Sequence, residues 1–406
     1  MKLLLPLIGL FLLLSPSVTT AQSVAAQKKP LKVFVLVGQS NMQGHAHTQT
    51  LQHIGMREHT MPLYELLTEN DGSPAVHKDV WINSISTGTV KKGNLTAGYG
   101  ASDDKIGPEL AFGATIQQLY GEPILIIKSA WGGKSLHTDF RPPSAGKFVF
   151  SKQQLDRFNE KKRNVDEILA EKEKATGKYF RLMIEHVRET LDDIKSTYPA
   201  YDAKLGYELS GMVWFQGWND MVDSGAYPKR GEPGGYQSYS DLLTLFIRDI
   251  RKELKTPKLP FVIGVMGVGG PTAQYSQDKK RHLKTHQNFR DAMAAPAKLP
   301  EFRGNVAIVL TENYWDQQLG ELQARKGKVN GKLRKARNKD KKIDRKAEKA
   351  LRETLLKAEF LATELREMEM GISNQEYHYL GSATILSQTG KGFAEAMHKL
   401  VKVPKR

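Results

Sequence analysis

The chain has no cysteine in 406 residues. That excludes disulfides, thiolate chemistry and a lipidated cysteine, whatever compartment it works in. Beyond residue 14 no apolar run approaches the ~20 residues needed to span a bilayer, so no integral membrane segment is expected there. No histidine–carboxylate cluster has metal-ligand spacing, and neither a metal nor another cofactor is expected. Gly267-Val-Gly-Gly270 lacks the strand–turn–helix fingerprint of a phosphate-binding loop. Internal repeats are missing too. Aromatics make up only 8% of the sequence, and none interleaves its most basic stretch. That shortage argues against a nucleic-acid partner.

What is present begins with Met1-Lys-Leu-Leu-Leu, one positive charge leading into an apolar segment that ends at Leu14. Residues 15–22 are small and polar, with Thr19-Thr20-Ala21 as the cleavage site. This is the pattern of a secretory signal over 1–21, so the mature chain is expected to be exported, periplasmic or extracellular. The net charge of +16 is uneven: residues 324–357 hold fifteen Lys and Arg against four acids, which leaves +5 for everything else. The plain reading of 321–370 is a solvated helix or helical hairpin inserted in the domain. The functional reading is a patch that draws in an anionic polysaccharide.

The body, 22–320, alternates two patterns. Residues 33–37, 123–130, 209–215, 260–266 and 306–310 are short, β-branched apolar runs that read as buried strands. Helical patterns separate them. One is 106–119, with Pro108 in its first turn. Another is the charged insertion at about 150–200, with Phe180, Met183, Ile184, Val187, Leu191 and Ile194 on one face. Residues 239–254 and 288–295 complete the set. Residues 80–100 read as irregular or hairpin-like. The alternation implies an α/β domain whose parallel sheet is covered on both faces, with 371–406 returning to it as a last helix.

The first strand runs into Gly38-Gln-Ser-Asn-Met42. Ligands of open α/β sheets bind beyond the carboxyl ends of the strands, so Ser40 is a candidate nucleophile. Alternatively, Ser40 or Asn41 caps the helix that follows. Ester hydrolysis at a serine also needs a base and donors for the oxyanion. A helix starting near Ser40 would carry His45 and His47 away from it, and most other histidines, His186 among them, sit on charged or Lys-rich segments as surface groups. His378 differs, lying in a loop that enters a Gly-punctuated apolar helix. Three strand ends offer oxyanion donors: the Ser40 N–H, the N–H of Gly132 or Gly133, and the side-chain amide of Gln216 or Asn219.

Gly38-Gln-Ser-Asn-Met42, Trp131-Gly-Gly-Lys-Ser135, Trp214-Phe-Gln-Gly-Trp-Asn-Asp220 and His378-Tyr-Leu-Gly381 resemble, in order and spacing, the SGNH hydrolases. Within them they are similar to the sialate O-acetylesterase and acetylxylan-esterase branch, and Gly217-Trp-Asn-Asp220 matches the superfamily's Gly-x-Asn-Asp block. The resemblance implies a flavodoxin-like three-layer α/β/α sandwich, with helical insertions here. It also implies hydrolysis of O-acetyl esters on carbohydrates, either sialate or acetylated polysaccharide. Ser40 then becomes the nucleophile and His378 the base. Ser40, Gly132 or Gly133, and Gln216 or Asn219 form the oxyanion hole, with Gln39, Asn41, Trp131 and Trp218 beside the substrate.

One part of the pattern is absent. The superfamily usually sets an aspartate three residues before the histidine, and that position is Gln375, which carries no negative charge. Glu376 or Asp316 could act as the acid, or a backbone carbonyl could orient the ring in a Ser–His dyad. The same departure keeps open a non-catalytic carbohydrate-binding relative with this fold. A lipase or thioesterase fits less well, because the sequence shows no extended apolar groove or lid.

Overall fold

The computed structural model describes residues 27–86, 88–339 and 344–402. The expected signal at 1–21, residues 340–343 of the basic run and the last four residues lie outside the described residues. The apolar runs assemble one seven-stranded sheet: β1 Leu31–Gly38, β2 His77–Ser86, β3 Thr89–Leu95, β4 Ile124–Ala130, β5 Tyr207–Phe215, β6 Phe261–Val265 and β7 Val306–Leu310. The strand order is β3-β2-β4-β1-β5-β6-β7. All pairs are parallel except β2 with β3 at one edge. From β1 the chain builds one half of the sheet through β2 to β4 and then crosses to β5. The three strands that lead into the sequence motifs are therefore neighbours, β4-β1-β5, and the crevice at such a reversal of strand order is where open α/β sheets bind ligands.

The hairpin β2–β3 is more regular than the sequence suggests. Its strand character is masked by Asn83 and Ser84, which are buried. Asn83 is acceptable there because Nδ2 donates to Thr190 Oγ1 at 3.0 Å and Oδ1 meets His186 Nε2 at 3.0 Å. His186 is accordingly no surface group. Its Nδ1 meets Ser129 Oγ at 2.8 Å, and burial holds its pKa down at about 4.

The helices that matter here are α1 Ser40–Gln43, α2 Pro108–Tyr120, α3 Lys178–Asp192, α4 Trp218–Val222, α5 Gln237–Glu253, α6 Leu283–Ala294, α7 Gln317–Lys339, α8 Arg345–Glu359, α9 Ala362–Gly371 and α10 Ala383–Lys402. Successive residues of a strand point to opposite faces, and the end of β5 shows what covers each. Trp214 packs on Phe246 of α5, 4.4 Å between ring centroids, and Phe246 in turn meets Phe180 of α3. Phe215 packs instead on Phe393 of α10 and on Tyr379. The expected α/β/α layering follows from this alternation. The stripe on α3 is the packing face its periodicity suggests, with Phe180, Met183, Ile184 and Val187 all buried.

The basic segment forms α7 and α8. Ion pairs join Arg325 to Glu359 and Arg337 to Glu348, the reversed order that antiparallel helices produce. Val329 and Leu333 are buried, so the hairpin has an apolar face of its own.

Lys128 follows the apolar run 124–127 of β4, yet it is only 1% exposed. Its ammonium donates to the Gln43 carbonyl at 2.8 Å, the Tyr99 carbonyl at 2.8 Å and Glu109 Oε2 at 2.7 Å. Burial pulls its pKa down against the opposing pull of Glu109, and all three donor positions are satisfied. Because Gln43 ends α1, this buried cation fixes the short helix that carries Ser40.

Candidate active site

Ser40 is placed by a tight crossing. A Cβ on Gly38 would lie 2.1 Å from the Phe215 carbonyl oxygen, so only glycine lets the end of β1 pass β5. The chain then turns at once into α1. Gln39 holds the N-cap position and makes no side-chain cap hydrogen bond. Ser40 is thus the first helical residue, and the capping alternative does not hold. Its side chain borders a cavity of about 480 Å³ that Gly132, Gly133, Asn219, His45 and His378 also line. That volume is within the range of small-molecule sites. Gly132 lies close to Ser40: a Cβ there would be 3.9 Å from the Ser40 Cβ.

Backbone donors decide which amide can serve the oxyanion. The Gly217 N–H donates to Gln39 Oε1 at 3.1 Å, which fixes the Gln39 amide with its oxygen toward β5. Gln39 Nε2 then donates to Asn219 Oδ1 at 3.1 Å, which leaves Asn219 Nδ2 as the free donor of a residue that lines the cavity. An amide flip is excluded here because it would set N–H against N–H. Gln216 has no such freedom. Its Nε2 donates to the Lys134 carbonyl at 3.0 Å and to Asp220 Oδ2 at 2.6 Å, and its Oε1 accepts from Tyr239 at 3.2 Å. Of the two amides expected from the sequence, Asn219 borders the cavity and Gln216 is buried in the frame.

Asp220 is the residue whose part the sequence did not reveal. Fully buried, it accepts from the Leu136 and His137 N–H groups at 2.7 and 3.0 Å, from Gln216 and from Tyr227 at 2.8 Å. Its carboxylate therefore clamps the loop after β4, which carries Gly132, to the turn after β5, which carries Asn219. The Gly-x-Asn-Asp spacing was the available signal, but nothing in sequence says what Asp220 would face.

His378 lies in a strained turn. Tyr379, Leu380 and Gly381 follow it with φ of 52°, 63° and 57°. Glycine is needed at 381, where a Cβ would meet Ser373 Oγ at 2.5 Å. The two non-glycine residues are fully buried, and the Tyr379 hydroxyl accepts from the Gly267 N–H at 2.8 Å. Backbone in this region persists only where its surroundings over-determine it. The turn presents the His378 Nδ1 to Asn374 Oδ1 at 3.1 Å. That oxygen also accepts from the Gln375 N–H at 2.8 Å, which identifies it as oxygen. Nδ1 is therefore protonated, and Nε2 carries the lone pair. His45, expected to be carried away from Ser40, stacks on the His378 ring instead, 4.0 Å between centroids and 2° from parallel. The helix α1 is only one turn long, so the chain comes back. Burial, then the charge of Lys105, lowers the His378 pKa to about 4. Burial, His378 and Lys105 take His45 to about 3.

Neither carboxylate expected as the acid is bonded to this ring. Glu376 pairs with Lys279 at 2.5 Å. Asp316 pairs with Arg57 at 3.0 Å and accepts from the Leu319 N–H at the start of α7. Each is engaged by a cation of its own, and the group facing Nδ1 is the neutral Asn374. Of the expected substrate contacts, Trp218 borders the cavity. Gln39 is spent on the frame described above, Trp131 is buried against Phe140 and Tyr179, and Asn41 is buried and does not line the cavity.

Residues 30–301 match the family model for carbohydrate esterases described as sialic acid-specific acetylesterases. No curated protein sequence matches the chain. Among solved structures it is similar to a protein from Arabidopsis thaliana, with 17% identity and a TM-score of 0.37 over 70% of this chain and 86% of that one. It is also similar to a carbohydrate acetylesterase from Xanthomonas citri, with 14% identity and a TM-score of 0.39 over 70% of this chain. That alignment spans about half of the Xanthomonas chain, 51%.

Proposed function

The chain belongs to the sialic acid-specific acetylesterase family of carbohydrate esterases, and from that premise we propose that it is an exported serine esterase removing O-acetyl groups from glycans. The observation that supports this reading is that Ser40, Gly132, Asn219 and His378, from four separate segments, border one cavity. His378 Nε2 takes the Ser40 proton as Oγ attacks the acetyl carbon. The negative oxygen then faces the Ser40 N–H, the Gly132 N–H and Asn219 Nδ2. Collapse returns the proton to the departing sugar hydroxyl and leaves an acetyl-enzyme, which water cleaves by the same steps in reverse. The positive α7–α8 hairpin lies outside the family match and suits an anionic polysaccharide as the carrier of the acetyl groups.

The experiment is acetate release by the wild-type protein from p-nitrophenyl acetate and from acetylated sialate and xylan. Turnover is the expected result. Binding of these glycans without any release of acetate would favour the second reading, a non-catalytic carbohydrate-binding protein, for which the neutral Asn374 beside His378 is the motivating observation.

The pH profile gives a further test. A general base works only when neutral, so kcat/KM should fall as pH drops through the His378 pKa, at about 4. It should be flat from about pH 5.5 to 7.5. A limb centred near 6.5, the ordinary histidine value, would show that burial does not hold the pKa of the ring down.

A pKa this low also makes His378 a weak base, because proton transfer is most effective when the pKa lies near the working pH. Asn374→Asp places a carboxylate where Oδ1 now accepts from Nδ1. A charge of opposite sign at that range raises a pKa by ~1–3 units. The acid limb should move up by that amount, and kcat/KM at pH 7 should rise about tenfold. An unshifted limb in a folded variant would show that residue 374 does not face the ring.

A further inference from the structure

Trp218 and Tyr377 border two cavities. One is the Ser40 cavity. The other, of about 630 Å³, lies between α4, the turn after β6 and the segment leading into α6. The two rings are 5.6 Å apart between centroids and tilted by 36°. Tyr377 is 40% exposed, so the pair forms an open aromatic ridge from one cavity to the next. Flat aromatic surface of this kind receives the C–H face of a sugar ring, an amphipathic match of apolar body and polar edge.

The charges around the second cavity are not balanced. Lys279 is neutralised by Glu376. Arg230 donates to the Val222 carbonyl at 2.8 Å and Arg281 to His282 Nε2 at 3.0 Å. Among the described residues neither guanidinium is paired with a carboxylate, and both line the cavity together with one exposed acid, Asp278. The two histidines present add no charge at neutral pH: burial lowers both, His286 to about 3. Two guanidiniums with free N–H groups over an aromatic floor form a receptor for a planar anion, since arginine binds carboxylates in a bidentate fork.

We propose that this second cavity is a subsite for a carboxylate-bearing sugar next to the acetylated one, so that the protein acts on acidic oligosaccharides in preference to isolated acetylated sugars. The proposal rests on the esterase reading above. In it, the acetylated residue occupies the Ser40 cavity, the chain of sugars crosses the Trp218–Tyr377 ridge, and the neighbouring carboxylate meets Arg230 and Arg281. The Lys279–Glu376 pair ties the floor of the subsite to the turn that holds His378, two residues further on.

The test compares an O-acetylated oligogalacturonide with the same oligosaccharide after methyl esterification of its carboxylates. The two share hydroxyls, acetyl groups and ring faces and differ in the carboxylate charge and in the small methyl group that masks it. The wild type should prefer the acidic form by about tenfold or more in kcat/KM, mostly through KM. That preference should fall to about one in the Arg230→Gln/Arg281→Gln protein, whose folding is checked by its thermal midpoint. Equal rates on the two forms by the wild type would overturn the subsite. So would a preference that survives both substitutions in the folded variant. Wild-type hydrolysis of p-nitrophenyl acetate separates the two levels: its absence overturns the esterase reading, whereas its presence with equal rates on the oligosaccharides overturns the subsite alone.

Discussion

Ser40→Ala should lower kcat/KM on any acetyl ester by about 10⁴-fold. Among the described residues Ser40 is the hydroxyl that begins a helix, lies beside Gly132 and lines the cavity that His378 also lines. His378→Ala should cost about as much, and the double variant no more than either alone, because a nucleophile and its base act as one unit. The loss is set below that of a hydrolase with a full acid, since Asn374 keeps the useful tautomer but lends no charge to the imidazolium. Kinetics on p-nitrophenyl acetate with purified variants decide the matter. A Ser40→Ala protein that keeps most of its activity would move the chemistry elsewhere.

Asn219→Ala should lower kcat by about 10²- to 10³-fold with little change in KM, the effect of losing one oxyanion donor. Alanine also leaves Gln39 Nε2 without its acceptor, so Asn219→Asp serves as the control. It keeps that acceptor but sets a negative charge against the oxyanion, and should be at least as inactive. Gln216→Ala makes the contrast. Its amide joins Lys134, Asp220 and Tyr239, so the variant should lose about 1–3 kcal/mol of stability through unsatisfied buried groups. A lowered thermal midpoint is its signature. Should Gln216→Ala instead lose kcat at an unchanged midpoint while Asn219→Ala stays active, the two amides have been assigned the wrong way round.

Much of this was legible because short-range physics suffices to write it. An apolar run such as residues 33–37 has nowhere to go but a buried strand, and a serine just past its end has one short turn in which to sit. The hairpin β2–β3 was less legible, because Asn83 and Ser84 look like loop residues until Thr190 and His186 arrive to bond Asn83. His186 itself looked like a surface group, being set on a charged helix whose buried side only the fold defines. His45 was misplaced for a related reason: the length of α1, a single turn, depends on Lys128 holding the Gln43 carbonyl from a strand 85 residues away.

The amino-acid order by itself determined an α/β chain and the strand ends at which polar residues collect, and it singled out Ser40 and a histidine near the far end, which line one cavity. Only the tertiary structure decided which neighbours those groups have. It set neutral Asn374 rather than Glu376 or Asp316 against the imidazole, put Asn219 in the cavity lining while burying Gln216, and gave Asp220 the task of joining two loops. The physical reason is that strand and helix periodicity is written over a few consecutive residues. A hydrogen bond between side chains 80 or 180 positions apart exists only once the sheet order has made them adjacent.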